Sequence, residues 1–160
     1  MDLNFLSLTP YPTYQEENDS EFFFTTDEGD DYTIYFTDTE GYFPKLSYSN
    51  SVKLFGFDYL GKPKSVKYDK KISDTIITSI LNFLSKETNI LIYVCGQSDA
   101  KQRYRNRLFN RWFKDYNQMG FVKYDITYDG DTYVSFLTSS KNPNLFTFQY
   151  EFMNFGNEYK

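Results

Sequence analysis

A chain of 160 residues with a net charge of −5 and 40% apolar content suffices for one domain that buries roughly two thirds of its unfolded surface, without a metal or a disulfide to hold it. It contains no histidine and one cysteine, Cys95. That composition excludes an internal disulfide, His-based acid/base and nucleophile pairs and the usual zinc ligand sets, so no metal and no cofactor are assigned; only an all-carboxylate Mg²⁺ or Ca²⁺ site stays open.

A lone cysteine suits a reducing cytosol. Met1 to Pro12 carries neither the basic region nor the long apolar run of a signal peptide. The apolar stretches fall far short of the ~20 residues that span a bilayer. A cytoplasmic protein without membrane contact is expected. Aromatics are abundant, with 17 Phe, 16 Tyr and one Trp, while Ala100 is the only alanine. Aromatics carry large burial energies, so core packing and AT-rich coding explain them better than a surface of stacking platforms for sugars or bases. Charge is split: residues 1–44 hold 11 acidic side chains and no Lys or Arg, and the remainder holds 17 basic and 11 acidic. The acidic part can lie beside the basic part, or serve as a docking surface or nucleic-acid mimic.

Residues 1–20, with Pro10 and Pro12, read as an irregular N-terminal arm, and residues 21–160 as a single α+β domain. Glu21 to Thr26 and Tyr32 to Thr37 read as strands joined by the turn residues Asp27 to Asp31. Val52 to Tyr59 follows, with Val52 and Leu54 on one face and Phe55, Phe57 and Tyr59 on the other. Ile72, Ile76, Ile77, Ile80, Leu81, Phe83 and Leu84 fall on one arc of a helix over Lys71 to Lys86, with Asp69 placed to cap it. Ile90 to Cys95 is a buried strand. Asp99 to Tyr116 is a second helix: Tyr104, Leu108, Phe109, Trp112, Phe113 and Tyr116 line one face, and Arg103, Arg107, Asn110, Arg111 and Lys114 the other. Asp125 to Thr138 is a hairpin around Asp129-Gly130-Asp131, and Phe146 to Phe152 a candidate last strand. The expected fold is α+β, a mainly antiparallel sheet with two helices in the order β-β-β-α-β-α-β-β.

This order over roughly Glu21 to Leu137 resembles the later part of a GNAT-type N-acetyltransferase, where an antiparallel meander leads to a helix, a strand, a second helix and a final hairpin. Tyr116-Asn-Gln-Met-Gly120-Phe121 resembles that family's Tyr-x-x-x-Gly-Phe. The resemblance implies that Tyr116 is the general acid that protonates a departing CoA thiolate. It also implies a pyrophosphate site on backbone N–H groups at the opening of the first core helix, at Gln/Arg-x-x-Gly-x-Gly/Ala. Here the equivalent stretch, Lys67 to Ser73, has no glycine. The motifs Tyr93-Val-Cys-Gly-Gln-Ser-Asp99 and Arg105-x-Arg-Leu-Phe-x-Arg-Trp-Phe113 also look like an uncharacterised family of short Bacteroidota proteins, which implies a bacterial source and no particular activity.

Four arginines are the candidate binding residues. Arg105 points into the aromatic face of the second helix, where an unpaired guanidinium is very costly; it is an anion clamp, half of a structural ion pair with Asp74 or an N-terminal acid, or an Arg at the sheet edge. Arg103, Arg107 and Arg111, with Lys114, form a basic stripe suited to phosphates or simply to water. Cys95, at a strand end before a helix, reads as a small apolar residue, since no His can activate it. The leading expectation is a non-catalytic binding or regulatory module with a protein partner. The alternatives are a divergent acyl-CoA-dependent N-acyltransferase and an acidic nucleic-acid mimic; direct nucleic-acid binding is disfavoured by the net charge.

Overall fold

The computed structural model describes residues 7–17, 20–39, 41–61, 69–95, 109–115, 120–128 and 132–158. Among them are seven strands: β1 (Tyr14–Gln15), β2 (Glu21–Thr25), β3 (Asp31–Asp38), β4 (Val52–Leu60), β5 (Ile90–Cys95), β6 (Phe121–Tyr128) and β7 (Thr132–Ser139). Helices α1 (Lys70–Leu84) and α3 (Leu145–Glu158) flank the helical residues 109–115, here α2.

The strands form one mixed sheet in the order β1-β2-β3-β4-β5-β7-β6. Every neighbouring pair is antiparallel except β4 with β5. That exception follows from the connection: a helix between two strands carries the chain back to the starting edge, so the second strand runs parallel to the first. α1 is this crossover. Its first turn is fixed by Asp69, whose carboxylate accepts from Lys71 N at 2.9 Å, as the sequence predicts.

The sheet is covered on both faces. On one side Phe24, Ile34, Phe36, Phe55, Leu91, Tyr93 and Leu137 meet Ile76, Ile77, Ile80, Leu81 and Leu84 of α1 and Phe109 of α2. On the other side Val52, Ile90, Ile92, Val134 and Phe136 meet Phe148 and Phe152 of α3. From Ile90 to Tyr93 β5 is buried on both faces, which is why this stretch reads as an unbroken apolar run. The predicted alternation of Val52 and Leu54 against Phe55 and Phe57 is observed.

One expectation is overturned. Phe146 to Phe152 is not a strand but the first half of α3, which raises the helix count among the described residues from two to three. Two helices on one side would leave the face lined by Ile90, Ile92, Val134 and Phe136 in water, and a sheet buries such a face against a second layer. The start of α3 is tied to the sheet by polar contacts. Asn142 Nδ2 donates to Thr138 Oγ1 at 2.8 Å, Thr138 Oγ1 donates to Asn89 O at 2.8 Å, and Asn142 Oδ1 accepts from Asn144 N at 2.9 Å. No helix among the described residues is long and apolar enough to cross a membrane.

Among the described residues the acidic N-terminal segment meets basic residues of the remainder in ion pairs. Lys53 pairs with Asp38, and Lys71 lies 3.9 Å from Asp27. Both carboxylates are largely exposed, so each pair is worth little on its own.

Candidate functional site

The parallel pair creates a gap. β4 and β5 are in register from Val52–Ile90 to Phe55–Tyr93. Beyond that, β4 continues along β3 to Leu60 and β5 along β7 to Cys95. The two strands are no longer paired there, and a slot of about 170 Å³ opens between them, lined by Tyr35, Gly56, Asp58, Tyr93, Val94 and Phe109. Gly56 makes part of this shape: a Cβ there would sit 2.2 Å from the Tyr35 ring, which lies over the strand. The Tyr35 hydroxyl reaches Asp58 at 3.4 Å, and Tyr93 stacks on Phe109 with centroids 4.1 Å apart. Carboxyl ends of parallel strands are a common place for a ligand in open sheets.

Beside the slot runs a polar row. Tyr93, Ser135 and Asp125 are directly in register across β5, β7 and β6. The buried Ser135 hydroxyl donates to Asp125 Oδ1, the oxygen that also pairs with Lys123 Nζ. The Lys123 ammonium lies 5.8 Å above the Tyr93 ring, and its side chain is 5% exposed. A Ser–Lys nucleophile needs the amine on the hydroxyl; here the lysine sits on the Asp125 carboxylate instead. Ser135 and Lys123 thus share the Asp125 carboxylate, whose side chain is half exposed. Sequence reasoning missed this row, although Lys123-x-Asp125 on one face of a strand, in a hairpin with Ser135, was the available signal.

The mouth of α1 is the place where the resemblance implies an anion site. It is filled by the chain's own acids and by the N-terminal arm. Thr9 N and Thr9 Oγ1 donate to Asp74 Oδ2 at 3.0 and 3.2 Å, and Lys70 Nζ donates to both Asp74 oxygens at 2.9 and 2.7 Å. Tyr11 N donates to Thr75 Oγ1 at 2.8 Å, and the Tyr11 hydroxyl donates to Asp69 while accepting from Asp27 N at 3.2 Å. Lys71 Nζ lies 4.1 Å above the Tyr11 ring. The arm is therefore anchored over its described part, with Tyr11 buried against Phe24. Burial pushes the Tyr11 hydroxyl up to about 12, and the nearby Asp69 carboxylate adds to the effect. Burial alone would raise the Asp74 carboxyl, but Lys70 and the two Thr9 donors outweigh it and hold it below its usual value. An incoming phosphate would meet a carboxylate already occupying the helix opening, with Asp74 and Asp27 close by.

A third feature is the outward side of α3. Phe148 and Phe152 face the sheet, whereas Phe146, Tyr150 and Met153 are 81%, 66% and 43% exposed. Their spacing of four and three residues places them on one helical stripe. Between Asn142 and Asn157 the only charged residue is Glu151.

Of the residues singled out from sequence, Tyr116, Arg103, Arg105 and Arg107 lie outside the described residues, as does the side chain of Cys95. Arg111 is exposed on α2, whose Phe109 is buried. Asp74, one suggested partner of Arg105, is held by Lys70 and Thr9. Among the described residues no group of three or more acids or cysteines is arranged to hold a metal ion.

Residues 68–154 match the model of a family described as "Family of unknown function (DUF6169)". No curated protein matches the chain.

Proposed function

The chain belongs to the DUF6169 family, and on that premise we propose that it is a non-catalytic binding or regulatory module of the cytosol, built on a GNAT-like sheet and directed at a protein partner. The order of meander, helix, strand, helix and hairpin supports the likeness. The observation that carries the functional reading is the mouth of α1. The position where an acyl-CoA pyrophosphate would need free backbone N–H groups is taken by the Asp69 carboxylate, with Asp74, Thr9 and Tyr11 packed around it. A helix N-terminus attracts anions only while its donors are unoccupied and its surroundings are not already negative.

The partner surface in this reading is the outward stripe of α3. Aromatics and Met with few charges are the composition of an interface centre, and the matching partner chemistry is a protein with an apolar groove. A pull-down from the source cells checks it with wild type and Phe146→Ala/Tyr150→Ala. A protein retained by the wild type and lost by the double variant is expected, with the variant's thermal unfolding midpoint unchanged. Equal retention by both would remove α3 from the reading.

A divergent acyl-CoA-dependent N-acyltransferase is the second reading. The slot at the carboxyl ends of β4 and β5 favours it, because it sits where an extended substrate could enter beside Tyr93 and Phe109. In that reading Tyr116 is the acid, and backbone groups or the arginines Arg103, Arg105, Arg107 and Arg111 replace the glycine loop.

A further inference from the structure

The two edges of the sheet are treated differently. One ends in β1, two residues long, which blunts it. The other is β6, eight residues from Phe121 to Tyr128 with no Pro or Gly, paired residue for residue with β7 from Phe121–Ser139 to Tyr128–Thr132 and so free of a bulge. Among the described residues no strand lies against its outer side.

The direction of its free groups can be read from one bond. Ser140 N donates to Gly120 O at 2.9 Å, continuing the β6–β7 ladder. Hydrogen-bonded pairs alternate in an antiparallel ladder, so the even-numbered residues of β6 bond to β7. Phe121, Lys123, Asp125 and Thr127 then turn their N–H and C=O outward. A second strand must pair with these four.

We infer that this strand is β6 of a second copy of the chain, antiparallel about a two-fold axis at Tyr124. A two-fold pairing has to place odd residue against odd residue, and three registers overlap most. One sets Lys123 against Lys123 and another sets Asp125 against Asp125. The register centred on Tyr124 sets Lys123 against the second copy's Asp125 twice over. Like charges directly opposite destabilise a sheet and opposite charges stabilise it, so the sequence selects this register. On the other face the same register brings Val122 to Ile126 and Tyr124 to its own copy, all partly exposed. The product is one sheet continuous across both copies. This inference does not depend on the α3 reading, since the stripe on α3 points away from the sheet.

Sedimentation velocity on the full chain tests it. The contact is small, so dimer is expected to grow in over ~1–100 µM. Thr127→Pro removes an outward donor without touching the β7 ladder and should leave monomer only. Lys123→Asp and Asp125→Lys should each be monomeric alone, yet form a mixed dimer when combined, and the double swap Lys123→Asp/Asp125→Lys should dimerise like the wild type. Far-UV circular dichroism confirms that each variant is folded; for any that is not, the mixing and double-swap results decide. A wild type that stays monomeric across this range overturns the inference. So does a dimer indifferent to Thr127→Pro and to the charge exchanges.

Discussion

Phe148→Ala and Phe152→Ala are each expected to cost about 3–5 kcal/mol of folding stability, whereas Phe146→Ala and Tyr150→Ala should each change it by about 0.5 kcal/mol or less. The first two side chains are 0% and 1% exposed, and both make edge contacts with Phe136, at centroid distances of 5.0 Å. Phe152 also meets Tyr124 and Phe148 meets Phe43. Truncation leaves a cavity between helix and sheet that these rings cannot close. Phe146 and Tyr150 lie on the far side of α3 in water. Urea unfolding of the four variants measures the difference. A strand would put all four residues on one face and give four similar costs.

That contrast also explains why α3 was not legible. Phe146-Thr-Phe148-Gln-Tyr150-Glu-Phe152 alternates apolar and polar residues at period two, the pattern of a half-buried strand. The helix prevails because Phe148 and Phe152, together with Phe43, cover the sheet face of Ile90, Ile92, Val134 and Phe136, and because Asn142-Pro143-Asn144 starts it. Asn suits a helix cap and Pro a first turn. Tertiary burial decided between two local readings. Elements with a single period were readable: α1 with its Asp69 cap, the buried run of β5, the aromatic face of 109–115 and the β6–β7 hairpin. The sites were less so. The closing of the α1 mouth depends on Thr9 and Tyr11 contacting residues more than 60 positions away, and no local pattern encodes such a pairing. The row of Tyr93, Ser135 and Asp125 likewise exists only once the register of three strands is known.

Asp74→Ala is expected to cost about 2–4 kcal/mol at pH 7, because it removes a buried carboxylate that accepts from Thr9 and Lys70. Lys70→Ala should cost about 0.5 kcal/mol or less, since its side chain is 60% exposed. The pH dependence has a definite sign. The Asp74 carboxyl is held below its ordinary value of 3.8 in the folded state. Its contribution is therefore complete above that value and is lost as pH falls through the lower folded value. The stability gap between wild type and Asp74→Asn should be constant from neutral pH down to about 5 and shrink below about 4. A gap unchanged at pH 3 would mean that the carboxylate charge contributes nothing and that only its hydrogen-bond geometry matters. Loss of Asp74 should also release the arm, so proteolysis between Met1 and Ser20 is expected to accelerate in Asp74→Ala and not in Lys70→Ala.

The same acids give the most direct check of the functional reading. Calorimetric titration of acetyl-CoA into the full chain is expected to give no saturable heat, because Asp69 fills the helix opening and Asp74 and Asp27 repel a second anion. A saturable isotherm with a dissociation constant in the low micromolar range would contradict the non-catalytic reading and move the assignment to an acyl-CoA-dependent enzyme.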